Sequence, residues 1–345
     1  MNMRLKYVPV LRYIREERKA LMNVKLSNKT LPLLELVNER AAQKRTGTFQ
    51  DTYLNDLSRL NHPILVDIPI YMNVNKGTRE NVKLFLSKFK LNPSLKIHYY
   101  KTLAINNNII PTLSYDPKVT YVAHTFINDC KELRKSFKTI CFRIFNSKDL
   151  QNILLDIKKV IKPNDILILD IKNDMHNSHK LKTPIAQINK LKEAIGFTSV
   201  IIRSAINPNI IFNKMIDGYV ITEANNSLLY DYAHLGFDAF GDYVGIRKDS
   251  TISKGGSRIP SAGFIFYSWH INSYLGYRGR LPNYDEFIKH IKPSVTKSLY
   301  WLRYTYKHHQ NCPGCQEIIS SLSTHSWDWK RYSIEHYLYT MEENL

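Results

Sequence analysis

Thr139-Ile-Cys-Phe-Arg-Ile-Phe145, then the longer stretch Asp149–Val160, then Asp165-Ile-Leu-Ile-Leu-Asp170, is the passage whose reading decides the fold. The outer runs are short and almost continuously apolar, as suits strands covered on both faces. The middle stretch carries apolar residues at helical spacing. A strand, a crossover helix and a second strand form the repeating unit of a parallel sheet.

Outward from this unit the same alternation continues in both directions. Further strand-like runs are Tyr7–Arg12, Leu31–Val37, Pro63–Ile68, Ile109–Ser114, Ser199–Ser204 and Phe237–Asp242. Helical stretches are Ile14–Val24, Thr78–Phe89, Pro184–Ile195 and Asn226–Leu235. Pro184 is expected in the first helical turn, and Gly196 and Gly236 are expected as stops. Eight strands with intervening helices close a barrel of roughly 250 residues. The fold class expected is therefore α/β, a (β/α)8 TIM-like barrel with a C-terminal helical extension. An open sheet of six or seven strands is the alternative. We expect the barrel over 1–244, a long loop and edge segment packed on it over 245–283, and the helical extension over 284–345.

In a parallel barrel every strand delivers its C-terminal end to one mouth, where active sites are built. Arg12, Glu35, Asp67, Ser114, Arg143, Asp170, Arg203 and Asp242 fall at those ends, with Tyr243 next in sequence. Arginine forks suit phosphate or carboxylate, and carboxylates hold a divalent metal or move protons. The expected ligand-binding residues are thus Arg12, Arg143, Arg203, Ser114 and Tyr243. The expected catalytic residues are Asp67, Asp170, Glu35 and Asp242, with a divalent metal as one option for the cofactor. The plain alternative is that these charges pair with one another and need no ligand.

Of the 345 residues, 49 are Lys or Arg and 30 are Asp or Glu, a formal charge of +19. Such a balance attracts polyanions, so nucleic acid or a phosphorylated small molecule is the expected partner, with a partner protein as another. The bland explanation is a Lys-rich surface without a task. No apolar run reaches the roughly 20 residues that span a bilayer, and no leader is visible, so a cytoplasmic protein with no membrane partner is expected.

Two smaller motifs remain. His308-His309-x-x-Cys312-Pro-Gly-Cys315 has half of a zinc pattern, with His325 and His336 downstream. A structural zinc site needs four nitrogen or sulfur donors. Cys312, Cys315, His308 and His325 are the expected set; a helix-start turn with two incidental thiols is the alternative. Aromatic and basic residues interleave in Phe264–Arg280, Tyr300–His309 and Trp327–Tyr332. They could stack on bases and grip phosphates, or pack helices onto the barrel. Lys254-Gly-Gly-Ser257-Arg258 is loosely like a phosphate-cradling loop and lacks the Walker pattern.

Taken together, several segments resemble the beta family proteins of phages and bacterial mobile elements. These are Tyr7-Val-Pro-Val-Leu-Arg12 with Glu17, Leu31-Pro-Leu-Leu-Glu35, Leu65-Val-Asp67, Phe142-Arg143-Ile144, Leu167-Ile-Leu-Asp170, Phe240-Gly-Asp-Tyr243, and Cys312–Cys315 followed by His336. The resemblance runs over nearly the whole chain. It departs at Glu223, which is followed by Ala224 where an aromatic is common. It implies a setting in phage–host conflict, as antiviral defence or its counter, and assigns no chemistry to any residue.

Overall fold

The structure is a computed structural model that describes residues 5–38, 49–114, 123–204, 215–224, 227–245 and 261–345. Eight parallel strands close a barrel: β1 (Tyr7–Arg12), β2 (Leu33–Glu35), β3 (Ile64–Asp67), β4 (Ile109–Ser114), β5 (Cys141–Phe145), β6 (Ile166–Asp170), β7 (Thr198–Ile202) and β9 (Ala239–Asp242). All eight lie on the runs expected from sequence. β8 (Tyr219–Glu223) leaves the cylinder between β7 and β9. It pairs instead with an antiparallel hairpin, β10 (Gly263–Ser268) and β11 (Ser273–Arg278), in a separate three-stranded sheet.

Alternation of side chains along each strand divides the core. Val8, Val10, Leu33, Leu65, Cys141, Ile166, Ile168, Val200, Ile202 and Ala239 form one buried cluster that fills the barrel. Tyr7, Leu11, Leu34, Val66, Phe142, Leu167 and Ile201 belong to a second cluster that includes the surrounding helices. A third cluster joins the small sheet, through Phe264, Phe266 and Leu275, to Trp301, Tyr304 and Trp329 of the C-terminal helices.

Some local expectations are corrected. Pro184 sits inside a helix running His179–Ile195, well past its first turn. The helix therefore carries on through a residue with no N–H to give. Gly196 does end that helix, at φ +85°. Among its described residues, the stretch Asn226–Leu235 contributes a short helix, Leu228–Asp231. Within 245–283, read from sequence as a long loop and an edge segment, the described residues include the β10–β11 hairpin. Lys254-Gly-Gly-Ser257-Arg258 lies outside the described residues. Trp301, Tyr304, Trp329 and Tyr332 are buried, so packing accounts for these interleaved aromatics. Among the described residues no helix is long and apolar enough to cross a membrane.

The C-terminal helix, Ser326–Asn344, sits between the barrel and the small sheet. Trp329 and Tyr332 enter the sheet-side cluster, while Ile334, Tyr337, Leu338 and Met341 enter the barrel-side cluster. A helix buried on opposite sides carries no single apolar stripe, which is the behaviour of an interior element.

Candidate functional site at the barrel mouth

β5 points Cys141, Arg143 and Phe145 into the barrel, and Arg143 is the fully buried hub of the mouth. The parallel register sets Arg12 beside Glu35, Glu35 beside Asp67, and Ser114 beside Arg143. Arg143 Nη1 donates to Glu35 Oε1 and Asp67 Oδ2, both at 3.0 Å, and also meets the Tyr71 hydroxyl. Nε and Nη2 donate to Asp170 Oδ2 at 3.1 and 2.7 Å, and Nη2 reaches the Tyr243 hydroxyl at 2.5 Å. A guanidinium has five N–H groups, so these acceptors saturate it.

The partners are tied to one another as well. The Tyr71 hydroxyl lies 2.8 Å from Glu35 Oε1 and 3.0 Å from Asp67 Oδ2. Tyr243 donates to Asp170 Oδ2 at 2.7 Å, and Ser114 donates to Asp67 Oδ1 at 2.7 Å. Asp170 Oδ1 accepts the Lys172 N–H at 2.9 Å. Arg12 Nε stands 3.7 Å from Glu35 Oε2. The rings of Tyr71, Phe145 and Tyr243 lie 5.0, 5.6 and 5.8 Å from the Arg143 guanidinium carbon. Burial pushes both tyrosine hydroxyls well above their usual pKa, so they stay protonated donors. Burial also raises the Asp67 carboxyl, an effect that Arg143 and Ser114 oppose.

Two residues expected in the mouth cluster, Asp242 and Arg203, do not join the Arg143 network; Arg203 stays on the rim of the mouth. Asp242 is on the outward parity of β9, where it accepts from Tyr7 (2.9 Å), from Tyr337 of the C-terminal helix and from the Val244 N–H (2.8 Å). It is a latch between barrel and helix, and it does not meet Arg143. Arg203 follows the end of β7 on the rim. Its Nη2 points at Met175 Sδ, 2.8 Å away, and it is 4% exposed. Its Nε and Nη1 have no hydrogen-bond partner among the described residues. Burial lowers its pKa to about 10, partly offset by Glu223 and Asp174 nearby. The side chains that do converge in one bonded network at the mouth are thus Arg12, Glu35, Asp67, Ser114, Arg143, Asp170 and Tyr243. Tyr71 is the member that sequence reasoning missed; it stands in a loop four residues beyond Asp67, where no spacing rule marks it.

The segment Phe240-Gly-Asp-Tyr243 now has a reason at each position. Phe240 faces the helices and Tyr243 faces Arg143. A Cβ on Gly241 would fall 2.4 Å from the Val8 carbonyl oxygen, so only glycine lets β9 close against β1. Asp242 holds the N–H of Val244, a β-branched residue at φ +51° in the left-handed region.

Outside the Arg143 network, His308, Cys312, Cys315 and His336 converge, with one donor atom from each lying within 4.8 Å of the others. His325 does not join them. It is exposed, precedes the C-terminal helix and stacks on Trp327 at 4.4 Å; eleven residues before His336, it stands about three helical turns, roughly 16 Å, along the axis from that ligand. A cavity of about 690 Å³ opens near Gly196, Thr198 and Asp238, at the N-terminal ends of β7 and β9. It is on the face opposite the mouth, where a barrel keeps stability rather than chemistry.

No curated protein matches this sequence. Among solved structures, a GH138 enzyme targeting pectin rhamnogalacturonan II overlaps 70% of this chain and 34% of its own, at 8% identity and a TM-score of 0.38. The chain therefore spans about a third of that enzyme, and the likeness carries no argument here. The model of the Beta protein family matches residues 7–341, nearly the whole chain. The chain belongs to the Beta protein family.

Proposed function

We propose that the barrel mouth binds a phosphate-bearing ligand without transforming it, and that this recognition serves phage–host conflict. The observation that carries the reading is Arg203: a guanidinium 4% exposed, on the rim, with Nε and Nη1 unpartnered among the described residues. A buried donor left unpaired costs roughly 1–3 kcal/mol, and an anion seated on the rim relieves that cost. Lys172, whose ammonium lies 5.0 Å from the centre of the Phe145 ring, adds a second cation beside the same end of the barrel. Arg143 has a different part. Its donors are already committed, so it shapes the floor of the site and leaves the anion to Arg203.

Binding is favoured over hydrolysis by the state of the carboxylates. Both oxygens of Asp67 and both of Asp170 accept hydrogen bonds inside the network. A general base or a metal ligand at these positions would have to compete with those bonds. The phage setting is supported by family membership, and an anionic ligand by the net charge of +19.

Calorimetry with inorganic phosphate, mononucleotides and short oligonucleotides tests the proposal. Wild-type protein is expected to bind at least one of them, and Arg203→Met to lose tenfold or more in affinity with the fold retained. The oligonucleotide arm separates a nucleic-acid source of phosphate from a free nucleotide. No heat with any of the three, or equal affinity in the variant, would refute it.

A further inference from the structure

We propose that His308, Cys312, Cys315 and His336 bind a single zinc ion, and that this ion is structural. The four residues come from three consecutive helices and the turn between the first two: Tyr306–Asn311, Pro313–Ser320 and Ser326–Asn344. All four are at most 2% exposed. Two sulfurs and two imidazoles form the donor set that zinc takes in closed tetrahedral sites. Donor atoms around such an ion stand roughly 3.4–3.8 Å apart, from Zn–S near 2.3 Å and Zn–N near 2.0–2.1 Å. Here His336 Nδ1 is 3.5 Å from Cys312 Sγ and 3.4 Å from Cys315 Sγ.

Each histidine is oriented by a partner on its other nitrogen. His336 Nε2 lies 2.9 Å from the Tyr267 carbonyl oxygen, so it carries the proton and leaves the Nδ1 lone pair toward the thiols. His308 Nδ1 lies 2.6 Å from Glu343 Oε2, and its Nε2 is buried with no hydrogen-bond partner among the described residues. A carbonyl behind one ligand and a carboxylate behind the other is the outer shell that metal-bound histidines ordinarily have. The Cys315 N–H points at Cys312 Sγ, 3.4 Å away, which favours a thiolate there. Gly314 completes the case. A Cβ at that position would lie 2.3 Å from the Tyr332 carbonyl oxygen and 2.5 Å from the His336 nitrogen. Only glycine brings the Cys-Pro-Gly-Cys turn close enough to the last helix for its sulfurs to reach His336.

The site has no open position for water or substrate, so its effect is mechanical. It ties the last three helices together, and through Tyr267 it ties them to β10. The next residue after His336 is Tyr337, which bonds Asp242 at the end of β9. The ion would thereby hold the helix that latches the barrel.

Tag-free protein purified without chelator should carry stoichiometric zinc by plasma mass spectrometry. It should also accept Co²⁺ with the intense visible bands of tetrahedral thiolate coordination. The Cys312→Ser/Cys315→Ser double variant should lose the metal, whereas His325→Ala should keep it. If the double variant does not fold, alkylation of the native wild-type thiols decides: Cys312 and Cys315 should be protected until a strong chelator is added. Wild-type protein that retains no zinc after loading and dialysis overturns the proposal. So does a double variant that keeps its zinc, or a Cys312–Cys315 disulfide in freshly isolated protein.

Discussion

A guanidinium taken out of water is tolerated only when its charge and all its N–H groups are met, and Arg143 satisfies both conditions with Glu35, Asp67, Asp170, Tyr71 and Tyr243. The dependence runs both ways. Arg143→Met would leave three buried carboxylates facing one another, and breaking a buried pair in this manner costs roughly 3–5 kcal/mol. We expect the urea midpoint to fall accordingly. Arg143→Lys should recover only part of the loss, since an ammonium lacks the planar fork. Wild-type stability in Arg143→Met would show that the network is not a structural hub. Asp67 offers a second test at the same scale. Burial raises its pKa in the folded state above the ordinary 3.8. Between that value and the folded pKa the unfolded chain has released the proton and the folded chain still holds it. The contribution of Asp67 is thus fully present below about pH 3.8 and is lost as pH rises through the folded pKa. Asp67→Asn cannot titrate, so its stability relative to wild type should improve as pH rises through that window. Denaturation midpoints measured at acidic and alkaline pH check this; a constant or shrinking difference would sink it.

At the scale of elements, the barrel strands were legible because each is apolar on both faces, and that pattern marks a parallel strand without any tertiary knowledge. β8 and β11 were not. β8 reads Tyr219-Val-Ile-Thr-Glu223, five residues that follow β7 and precede the short helix Leu228–Asp231, and its Tyr219 and Val220 are exposed. Its identity comes from pairing with a hairpin about 50 residues downstream, which no local window contains. Parity was the other limit. Asp242 and Arg203 are one residue out of phase with the inward positions Gly241 and Ile202, and a single step sends a side chain to the opposite face. Sequence placed both at the strand ends and could not place either side chain. His336 and His325 show the same limit in a helix. Both follow Cys315 at plausible distances, and only the packing of Gly314 against the last helix brings His336 to the sulfurs. Tyr71 was illegible for a plainer reason, since a loop residue carries no period at all.

At the scale of the whole molecule, the sequence reads as a barrel over 1–244, a loop and edge segment over 245–283 and a helical extension over 284–345, but the interactions cross those divisions. Lys330 bonds Glu17 at 2.8 Å, Asn23 bonds Glu335 at 2.7 Å, and Tyr337 bonds Asp242, each joining the last helix to the barrel. Glu17 and Asp242 are fully buried beneath the helix, so removing it takes away a bonding partner of each carboxylate. It also uncovers the barrel-side surface now packed by Ile334, Tyr337, Leu338 and Met341. A tail merely docked on a finished barrel would behave differently, because the barrel would close its own core and satisfy its own charges. We therefore expect the full chain to unfold in one cooperative transition, seen alike by near- and far-ultraviolet circular dichroism. Deleting 326–345 should abolish that transition and leave an aggregating or partly folded barrel. A truncated protein that melts cooperatively at the wild-type temperature would instead make the helix an appendage, and the latch at Asp242 would then contribute nothing to the barrel it closes.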